Sequence, residues 1–219
     1  MFKLITQLQK IVIVALIAII TTSCISTTAK EGTSRPAEWA VEIEKEGLPN
    51  FHKVTDDLYR GAQPTAAGIT ELKNMGIKTI VDLRANHSDK DEIGNIEIGY
   101  EQIPMHAWNA EEKDIIKFLK IVTDKEKTPV FVHCHRGADR TGFMIATYRV
   151  AVCGWSKEAG ITEMTDGGYK FNPLWQNLVN YVKKLDAEKI REKAGIKNPP
   201  NGQKKSAAFS IKSSLSAQG

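Results

Sequence analysis

Short apolar runs alternate along this chain with longer segments in which apolar residues recur at helical spacing. The run with the strongest β character is 130–132, Val-Phe-Val, which is typical of a strand buried on both faces. A loop and the apolar, helix-compatible segment 143–152 follow it, and Gly154 is placed to end that helix. Two further buried strands are predicted over 77–83 and 98–105.

Helical patterns lie between and around these strands. The segment 111–122 has apolar residues at positions 115, 116, 118, 119 and 122, a stripe that would pack on a sheet. Other helices are predicted over 39–45, 66–75, 156–165 and 173–185, with a polar loop over 84–95. Because strands alternate with helices, we predict the α/β class: a three-layer α/β/α fold with a central, mostly parallel sheet. The site is then expected at the carboxyl ends of the strands.

The first 24 residues differ from the rest of the chain. Lys3 and Lys10 lie before the apolar run 11–20, and small polar residues lead from it to Cys24. A positive region, a short apolar region and a small-residue end are typical of a secretory signal, and the run is short for a membrane span. We therefore predict four segments along the chain: a signal over 1–24, a polar linker over 25–37, one folded domain over 38–190, and a disordered basic tail over 191–219.

The formal net charge of +4 is distributed unevenly. Residues 187–219 hold seven Lys and Arg against two Glu, and the signal adds two Lys without an acid, so residues 24–186 carry a net charge of −3. A mildly acidic domain lacks the concentrated positive face of a nucleic-acid-binding protein. The tail, with its Asn-Pro-Pro-Asn-Gly run, is predicted to be solvated, and contact with a membrane surface is the alternative.

Candidate chemistry is concentrated in residues 130–142, where Cys134 and Arg140 lie between the predicted strand and the predicted helix. A loop in this position can aim its backbone N–H groups, with the helix N-terminus, at an anion. Gly137 supplies the unusual backbone angles that such a curl needs, and Arg140 offers a planar, two-pronged grip on phosphate oxygens. The same positive field favours the thiolate of Cys134, which is an in-line nucleophile beneath a bound phosphate.

This stretch resembles the signature of the protein tyrosine phosphatase superfamily: His133, Cys134, five residues, Arg140 and Thr141. A looser likeness to the small dual-specificity branch extends over about residues 50–186, including Tyr-Arg-Gly-Ala-Gln-Pro at 59–64. The resemblance implies a phosphate monoester hydrolase that forms a cysteinyl-phosphate without a metal or cofactor. The residues expected around the phosphate are His135, Arg136, Gly137, Ala138, Asp139 and Arg140. Thr141 is expected to donate a hydrogen bond to the thiolate and help expel it.

The chain departs from that pattern where the family places its general acid. The family's Asp lies on a loop about thirty residues before the nucleophile, and here the corresponding positions are Ala107 and Trp108. Asp139 is our first replacement, since an Asp there resembles the signature loops of myotubularin-type and Sac-type lipid phosphatases. Equally, Asp139 could only cap the helix start. Other candidates for the acid are Glu111, Glu112 and His106.

The remaining cysteines are predicted to have no part in catalysis. Ser23-Cys24 resembles the lipobox of bacterial lipoproteins, which implies a lipid-modified Cys24, a membrane tether and a periplasmic or outer-membrane location. Cys153 lies about thirteen helical residues beyond Arg140, or roughly 20 Å, which is too far for a disulfide to Cys134. Cys153 is therefore predicted to be a small buried hydrophobe, and Cys134 to be free.

Two alternatives to a phosphatase stay open from the sequence. A phosphate-binding pseudophosphatase would keep the anion cradle without turnover, and a rhodanese-like sulfurtransferase also places a reactive Cys in an anion loop. For a phosphatase, the substrate could be a phosphoprotein, an inositol phosphate or phosphoinositide, or a small aryl phosphate. His133 and His135 are not expected to share a metal, because neighbouring strand residues point to opposite faces. We expect a monomer.

Overall fold

The structure, a computed structural model, describes residues 35–197. Its strands form one six-stranded sheet in the order β1-β2-β3-β6-β4-β5. The strands are β1 (Val41–Glu42), β2 (His52–Thr55), β3 (Leu58–Gly61), β4 (Thr79–Arg84), β5 (Gly99–Met105) and β6 (Val130–His133). The helices are α1 (Ala66–Asn74), α2 (Lys90–Ile93), α3 (Glu112–Thr123), α4 (Asp139–Ala151), α5 (Lys157–Asp166), α6 (Gln176–Lys184) and α7 (Ala187–Ala194).

The centre of the sheet is parallel and one edge is antiparallel. β3, β6, β4 and β5 run in the same direction, while β2 pairs antiparallel with β3 and β1 antiparallel with β2. The carboxyl ends of the four parallel strands therefore meet at one edge of the sheet. The prediction of a central, mostly parallel sheet is confirmed.

Apolar side chains cover both faces of the sheet. Along β6, Val130 and Val132 belong to a large cluster with residues of α3, α4, α6 and α7, such as Phe118 and Phe143. Phe131, between the two valines, joins a smaller cluster with residues of α1 on the opposite face. Because neighbouring side chains of a strand point to opposite faces, β6 is covered on both sides, which explains its uninterrupted apolar sequence and confirms the three layers.

Two predicted segments differ in the structure. The short helix expected over 39–45 is absent, and β1 lies there, paired as an edge strand with Lys53 and His52. Sheet pairing outweighs the local helical pattern here, because Ile43 N also donates to Phe51 O (2.9 Å). The polar loop expected over 84–95 contains α2, whose Ile93 is buried in the smaller cluster.

The ends of two helices also differ from the prediction. α4 begins at Asp139 rather than near residue 143, since Gly142 N already donates to Ala138 O (2.8 Å). Beyond α6 the chain forms another helix, α7, which buries Ile190 and Ala194 and continues the fold past residue 190. The predicted signal, Cys24, nearly all of the linker and the tail from residue 198 lie outside the described residues. No helix within 35–197 has the length and apolarity needed to cross a membrane.

A buried polar network lies at the carboxyl edge of the sheet, directly behind the strand end that leads to Cys134. His133, the last residue of β6, donates from Nε2 to a carboxylate oxygen of Asp89 (2.7 Å), and both side chains are fully buried. Gln63 Nε2 donates to the other oxygen of Asp89 (2.7 Å). On β4, Asp82 accepts from the Tyr100 hydroxyl (3.1 Å). These bonds fix the orientation of the His133 ring.

The two aspartates of this network have pKa shifts of opposite sign. Burial opposes charge on Asp89, but the hydrogen bonds from His133 and Gln63 and the nearby imidazoles outweigh it and hold the pKa of Asp89 below its ordinary value of 3.8. For Asp82, burial dominates and raises the pKa above 3.8. The folded protein therefore favours charge on Asp89 and disfavours it on Asp82.

This difference predicts opposite pH dependence for two matched variants. A carboxylate with a lowered folded pKa stabilises the fold above pH 4 or so, and that contribution disappears as the pH falls through the folded pKa. Asp89→Asn should thus reduce the free energy of unfolding most at pH 6 to 7 and least near pH 3. Asp82→Asn should show the reverse trend, because the neutral amide resembles the form that burial prefers. Urea unfolding of both variants across this range checks the prediction, and curves parallel to the wild type would contradict it.

Candidate active site

Cys134 follows the end of β6 directly and begins a loop that enters α4 at Asp139. Among the described residues neither Cys134 nor Cys153 forms a disulfide, and Cys153 is partly buried rather than fully buried as predicted. Gly137 has a φ of +67°, and a Cβ added there would lie 2.4 Å from Gly61 O. Only glycine combines that backbone angle with so close an approach to β3.

The carbonyl groups of this loop are held from outside by the segment 50–63. The backbone N–H of Gln63 donates to His135 O (3.3 Å), Asn50 Nδ2 to Arg136 O (2.9 Å), and Arg60 Nη2 to Gly137 O (2.8 Å). In a planar trans peptide the N–H points opposite to the C=O. With three consecutive carbonyls bound on the outer side, the N–H groups of the same peptides are left to face the pocket, which is the arrangement that binds an anion.

Arg140 lies over the ends of two neighbouring strands. Its Nη1 is 3.3 Å from Leu83 O in β4 and 3.4 Å from Met105 O at the end of β5. These carbonyls hold one nitrogen of the guanidinium, and the side chain lines the same pocket as Cys134. The remaining N–H groups are the natural donors for a phosphate in that pocket.

The pocket has a volume of about 260 Å³ and carries aromatic groups on its rim. Its lining residues are His106, Ala107, Trp108, Cys134, His135, Arg136, Asp139, Arg140 and Trp175. The His106 and Trp108 rings stack with centroids 4.4 Å apart, and Trp108 is 67% exposed. The Trp108 side chain thus projects into solvent beside the pocket and does not pack in the core.

Asp139 is the first residue of α4 and reaches the pocket from below its rim. One carboxylate oxygen accepts from Asn172 N (2.8 Å), and the other lies 3.6 Å from Arg136 Nη2. The Asp139 side chain thus connects α4 to the segment after α5, and its second oxygen lies near the Arg136 guanidinium. These contacts are compatible with both predicted roles of Asp139, as the general acid and as a carboxylate at the start of the helix.

The hydrogen bond predicted from Thr141 to Cys134 is not formed in the structure, and the role of Thr141 in expelling the thiolate stays a prediction. α4 begins two residues before Thr141, which is therefore inside the first helical turn and fully buried. Its hydroxyl has no hydrogen-bond partner among the described residues.

Two of the candidate acids lie away from the pocket. Glu112 accepts from Lys189 (3.0 Å) and pairs with Lys193 on α7. Glu111 pairs with Lys113 (2.7 Å). Neither lines the pocket, whereas His106 does. Of the phosphate-binding residues predicted, His135, Arg136, Asp139 and Arg140 line the pocket, whereas Gly137 and Ala138 do not, and Ala138 is buried.

The sequence analysis included Arg60 and Gln63 in the likeness at 59–64 but missed their role in holding the loop, and it missed Asn50 and Asp89 altogether. Their partners are backbone carbonyls or residues distant in sequence, so no spacing rule reveals them. One signal was available, because Arg60 interrupts an apolar strand next to a glycine, and a charged residue in a buried strand requires an explanation.

Within residues 35–197, two groups of side chains have the donor types and spacing of a metal site: Asp82, Asp89 and His133, and His87, Asp89 and Glu92. Asp89 is common to both, and its oxygens already accept from His133 and Gln63. Asp89 and His133 are thus committed to each other, and attack by a thiolate on phosphorus requires no ion.

Comparisons with known proteins agree with this geometry. Residues 41–172 match the family described as "DSP-PTPase phosphatase fused to NAD+ Kinase". The dual specificity protein phosphatase TpbA of Pseudomonas aeruginosa is 28% identical over 164 residues, which cover 74% of this chain and 74% of TpbA. An inositol diphosphatase of Arabidopsis thaliana is 23% identical over 154 residues, covering 65% of this chain and 73% of that protein.

Solved structures give the same result. The crystal structure of P. aeruginosa TpbA has a TM-score of 0.67 and 27% identity, covering 74% of this chain and 99% of that chain. A cysteine-to-serine variant of TpbA in complex with pTyr has a TM-score of 0.66, with 26% identity and the same coverage. The chain belongs to the DSP-PTPase family matched over residues 41–172, and it is a cysteine-dependent phosphatase of the dual-specificity type.

Proposed function

We propose that this protein hydrolyses aryl phosphate monoesters, with phosphotyrosine as the first candidate, through a cysteinyl-phosphate on Cys134. The observation that carries the proposal is the loop whose carbonyls are held outward beneath a pocket shared by Cys134 and Arg140. Sulfur attacks phosphorus in line, the S–P bond forms and the P–O bond to the phenol breaks. Water then attacks phosphorus, the S–P bond breaks, and inorganic phosphate and the thiolate are released.

The charge of the pocket suits a single phosphate. Arg140 and Arg136 provide two cations, while Asp139 lies 3.6 Å from Arg136 and offsets part of their charge. One phosphate dianion is enough to offset the net positive charge of these side chains, whereas a highly phosphorylated inositol would bring several more negative charges close to Asp139. The pTyr bound to the TpbA variant supports the same choice.

The aromatic rim favours a flat leaving group. Trp108 and His106 form a stacked pair at the pocket, and Trp175 also lines it. A phenyl ring can stack on such walls. A phenol, with a pKa near 10, also leaves without full protonation far more readily than an alcohol, which matters in a chain whose acid loop carries Ala107 and Trp108.

For the general acid we propose Asp139, with His106 as the second candidate. Asp139 lines the pocket at the start of α4 and keeps one oxygen beside Arg136 rather than in a close ion pair. His106 lies on the acid loop and also lines the pocket. A catalytically weak pseudophosphatase is the competing function, and it rests on the missing Asp of that loop.

We further propose that the chain is exported and attached to a membrane by lipid on Cys24, facing the periplasm. Support comes from the two lysines, the apolar run 11–20 and the small residues before Cys24. The polar linker would then hold the phosphatase domain away from the membrane surface.

Turnover should depend on Cys134 and favour aryl esters. Wild-type protein is expected to hydrolyse p-nitrophenyl phosphate and phosphotyrosine peptides with a kcat/KM about 100-fold above that for phosphoserine peptides or inositol phosphates. Vanadate should inhibit, and Cys134→Ser should abolish phosphate release, with Cys153→Ser as the matched control. A folded wild-type protein without turnover would favour the pseudophosphatase, and preference for an inositol phosphate would refute the aryl assignment.

Leaving-group dependence should identify the acid. Asp139→Asn keeps an oxygen that can accept from Asn172 N but cannot supply the proton, so hydrolysis of an alkyl phosphate should fall by about 10² or more. Hydrolysis of p-nitrophenyl phosphate, whose leaving group needs no proton, should change far less. His106→Asn is measured in parallel, and Glu111→Gln serves as a control outside the pocket. Equal losses on both substrates in Asp139→Asn would remove Asp139 from the role.

Lipid attachment is testable in cells. The protein expressed in a Gram-negative bacterium should incorporate labelled palmitate and fractionate with membranes. Cys24→Ser should lose both properties, whereas Cys153→Ser should retain them. Labelling that persists in Cys24→Ser, or a wild-type protein without label, would contradict the proposal.

A further inference from the structure

Arg60 is a charged residue in the middle of the fold whose role the mechanism above does not use. It lies on β3 next to Gly61 and is completely buried. Its Nη2 donates to Gly137 O (2.8 Å), and a Cβ added at Gly142 would lie 3.7 Å from the same nitrogen. The guanidinium is therefore enclosed between the loop that begins at Cys134 and the first turn of α4.

The surroundings of Arg60 do not neutralise its charge. Its guanidinium carbon lies 3.7 Å from the centroid of the Tyr169 ring, and within residues 35–197 no carboxylate forms an ion pair with it. Its Nε and Nη1 have no hydrogen-bond partner in that same part of the chain. A ring face and one carbonyl stabilise a cation only partially, and the nearby N-terminus of α4 opposes it.

Arg149, a second buried arginine, differs from Arg60 because a carboxylate neutralises its charge. Arg149 donates to Glu163 from Nε (2.8 Å) and Nη2 (3.0 Å), which is a two-pronged ion pair. Glu163 also accepts from Ala40 N (2.8 Å). The Glu163 carboxylate is therefore committed to Arg149, and within residues 35–197 Arg60 is left as a buried positive charge without a carboxylate partner.

A buried excess charge is costly unless an anion is present nearby. Burial lowers the pKa of Arg60 to about 10, and interactions with Tyr169, Glu163 and Cys134 act in the opposite direction. At neutral pH Arg60 is therefore still a cation. The register of the sheet places Arg60 opposite Val132 and Gly61 opposite His133, so this charge lies next to the strand end that leads to Cys134.

We propose that Arg60 is a positioning residue of the active site: it holds the Gly137 carbonyl away from the phosphate pocket and supplies the buried charge that keeps Cys134 ionised. The two effects come from one guanidinium, since the hydrogen bond fixes the peptide and the charge acts through the loop. Arg140 then binds the substrate from the pocket side, and Arg60 acts from the core side. The proposal rests on Cys134 being the nucleophile of the proposed function.

The test measures the charge state of Cys134 without turnover. Iodoacetamide is neutral and reacts with the thiolate, so the rate of Cys134 alkylation against pH, followed by mass spectrometry, gives the midpoint of thiol ionisation. In Arg60→Gln the midpoint should rise by about one pH unit or more, so that alkylation at pH 6 slows about tenfold. Arg60→Lys keeps a cation that can donate to Gly137 O, and its midpoint should stay within about half a unit of the wild type.

Two controls separate charge from simple loss of support. Asn50→Gly removes the neutral donor to Arg136 O at a residue whose φ is +53°, which glycine tolerates. Arg149→Lys alters a buried cation that already has a carboxylate partner. Asn50→Gly measures the loss of loop support without a change of charge, so its midpoint should rise clearly less than that of Arg60→Gln, and Arg149→Lys should leave the midpoint unchanged. A shift of the same size in either control would show that any disturbance of the loop has this effect, and the proposal would fail.

The remaining outcomes are also decisive. A folded Arg60→Gln protein, checked by thermal melting, with an unchanged midpoint would overturn the proposal. If that variant does not fold, a folded Arg60→Lys protein whose midpoint rises by a unit or more would overturn it equally. Failure of the proposed function is distinguishable, because it would appear as phosphate release that survives in Cys134→Ser, whatever the alkylation profile shows.

Discussion

The active-site loop works only if its carbonyl oxygens point away from the pocket, and that constraint organises the surrounding fold. A carbonyl turned inward would present negative charge to a phosphate dianion and to the thiolate beneath it. The structure prevents this with three donors from one short segment, of which Gln63 uses its backbone and Asn50 and Arg60 use side chains. The segment 50–63, which includes β2 and β3, thus supports the active-site loop, although none of these donors lines the pocket.

The parallel centre of the sheet supplies the rest of the geometry. Because β4, β5 and β6 end at the same edge, one guanidinium can reach the terminal carbonyls of two strands while Cys134 follows the third. His133 is fixed from the other side by Asp89. The nucleophile is therefore positioned by hydrogen bonds on both sides of its loop. Little side-chain freedom has to be lost when a substrate binds, which is the condition for efficient positioning.

The elements and the nucleophile could be predicted from the sequence because they depend on local patterns. The apolar run of β6, the helical stripe of α3 and the serine before α5 each determine their element within a few residues. The helix predicted over 39–45 was wrong because pairing with β2 decides the conformation of this segment. The roles of Arg60 and Asp89 escaped notice for a related reason. Each residue acts through a partner at least 44 residues away, and such contacts exist only after the sheet has formed.

Two features of one loop support the aryl substrate proposed above. Ala107 and Trp108 lie where the family places its acid, which leaves protonation to Asp139 in our proposal, and the same loop presents Trp108 stacked on His106 at the pocket rim. The phenol of an aryl ester leaves with less protonation and can stack on this aromatic surface, whereas the alcohol of a serine ester has neither advantage. On the proposed function, an aromatic surface at the position of the loop acid is therefore compatible with turnover, and it favours esters whose alcohol is already acidic and flat.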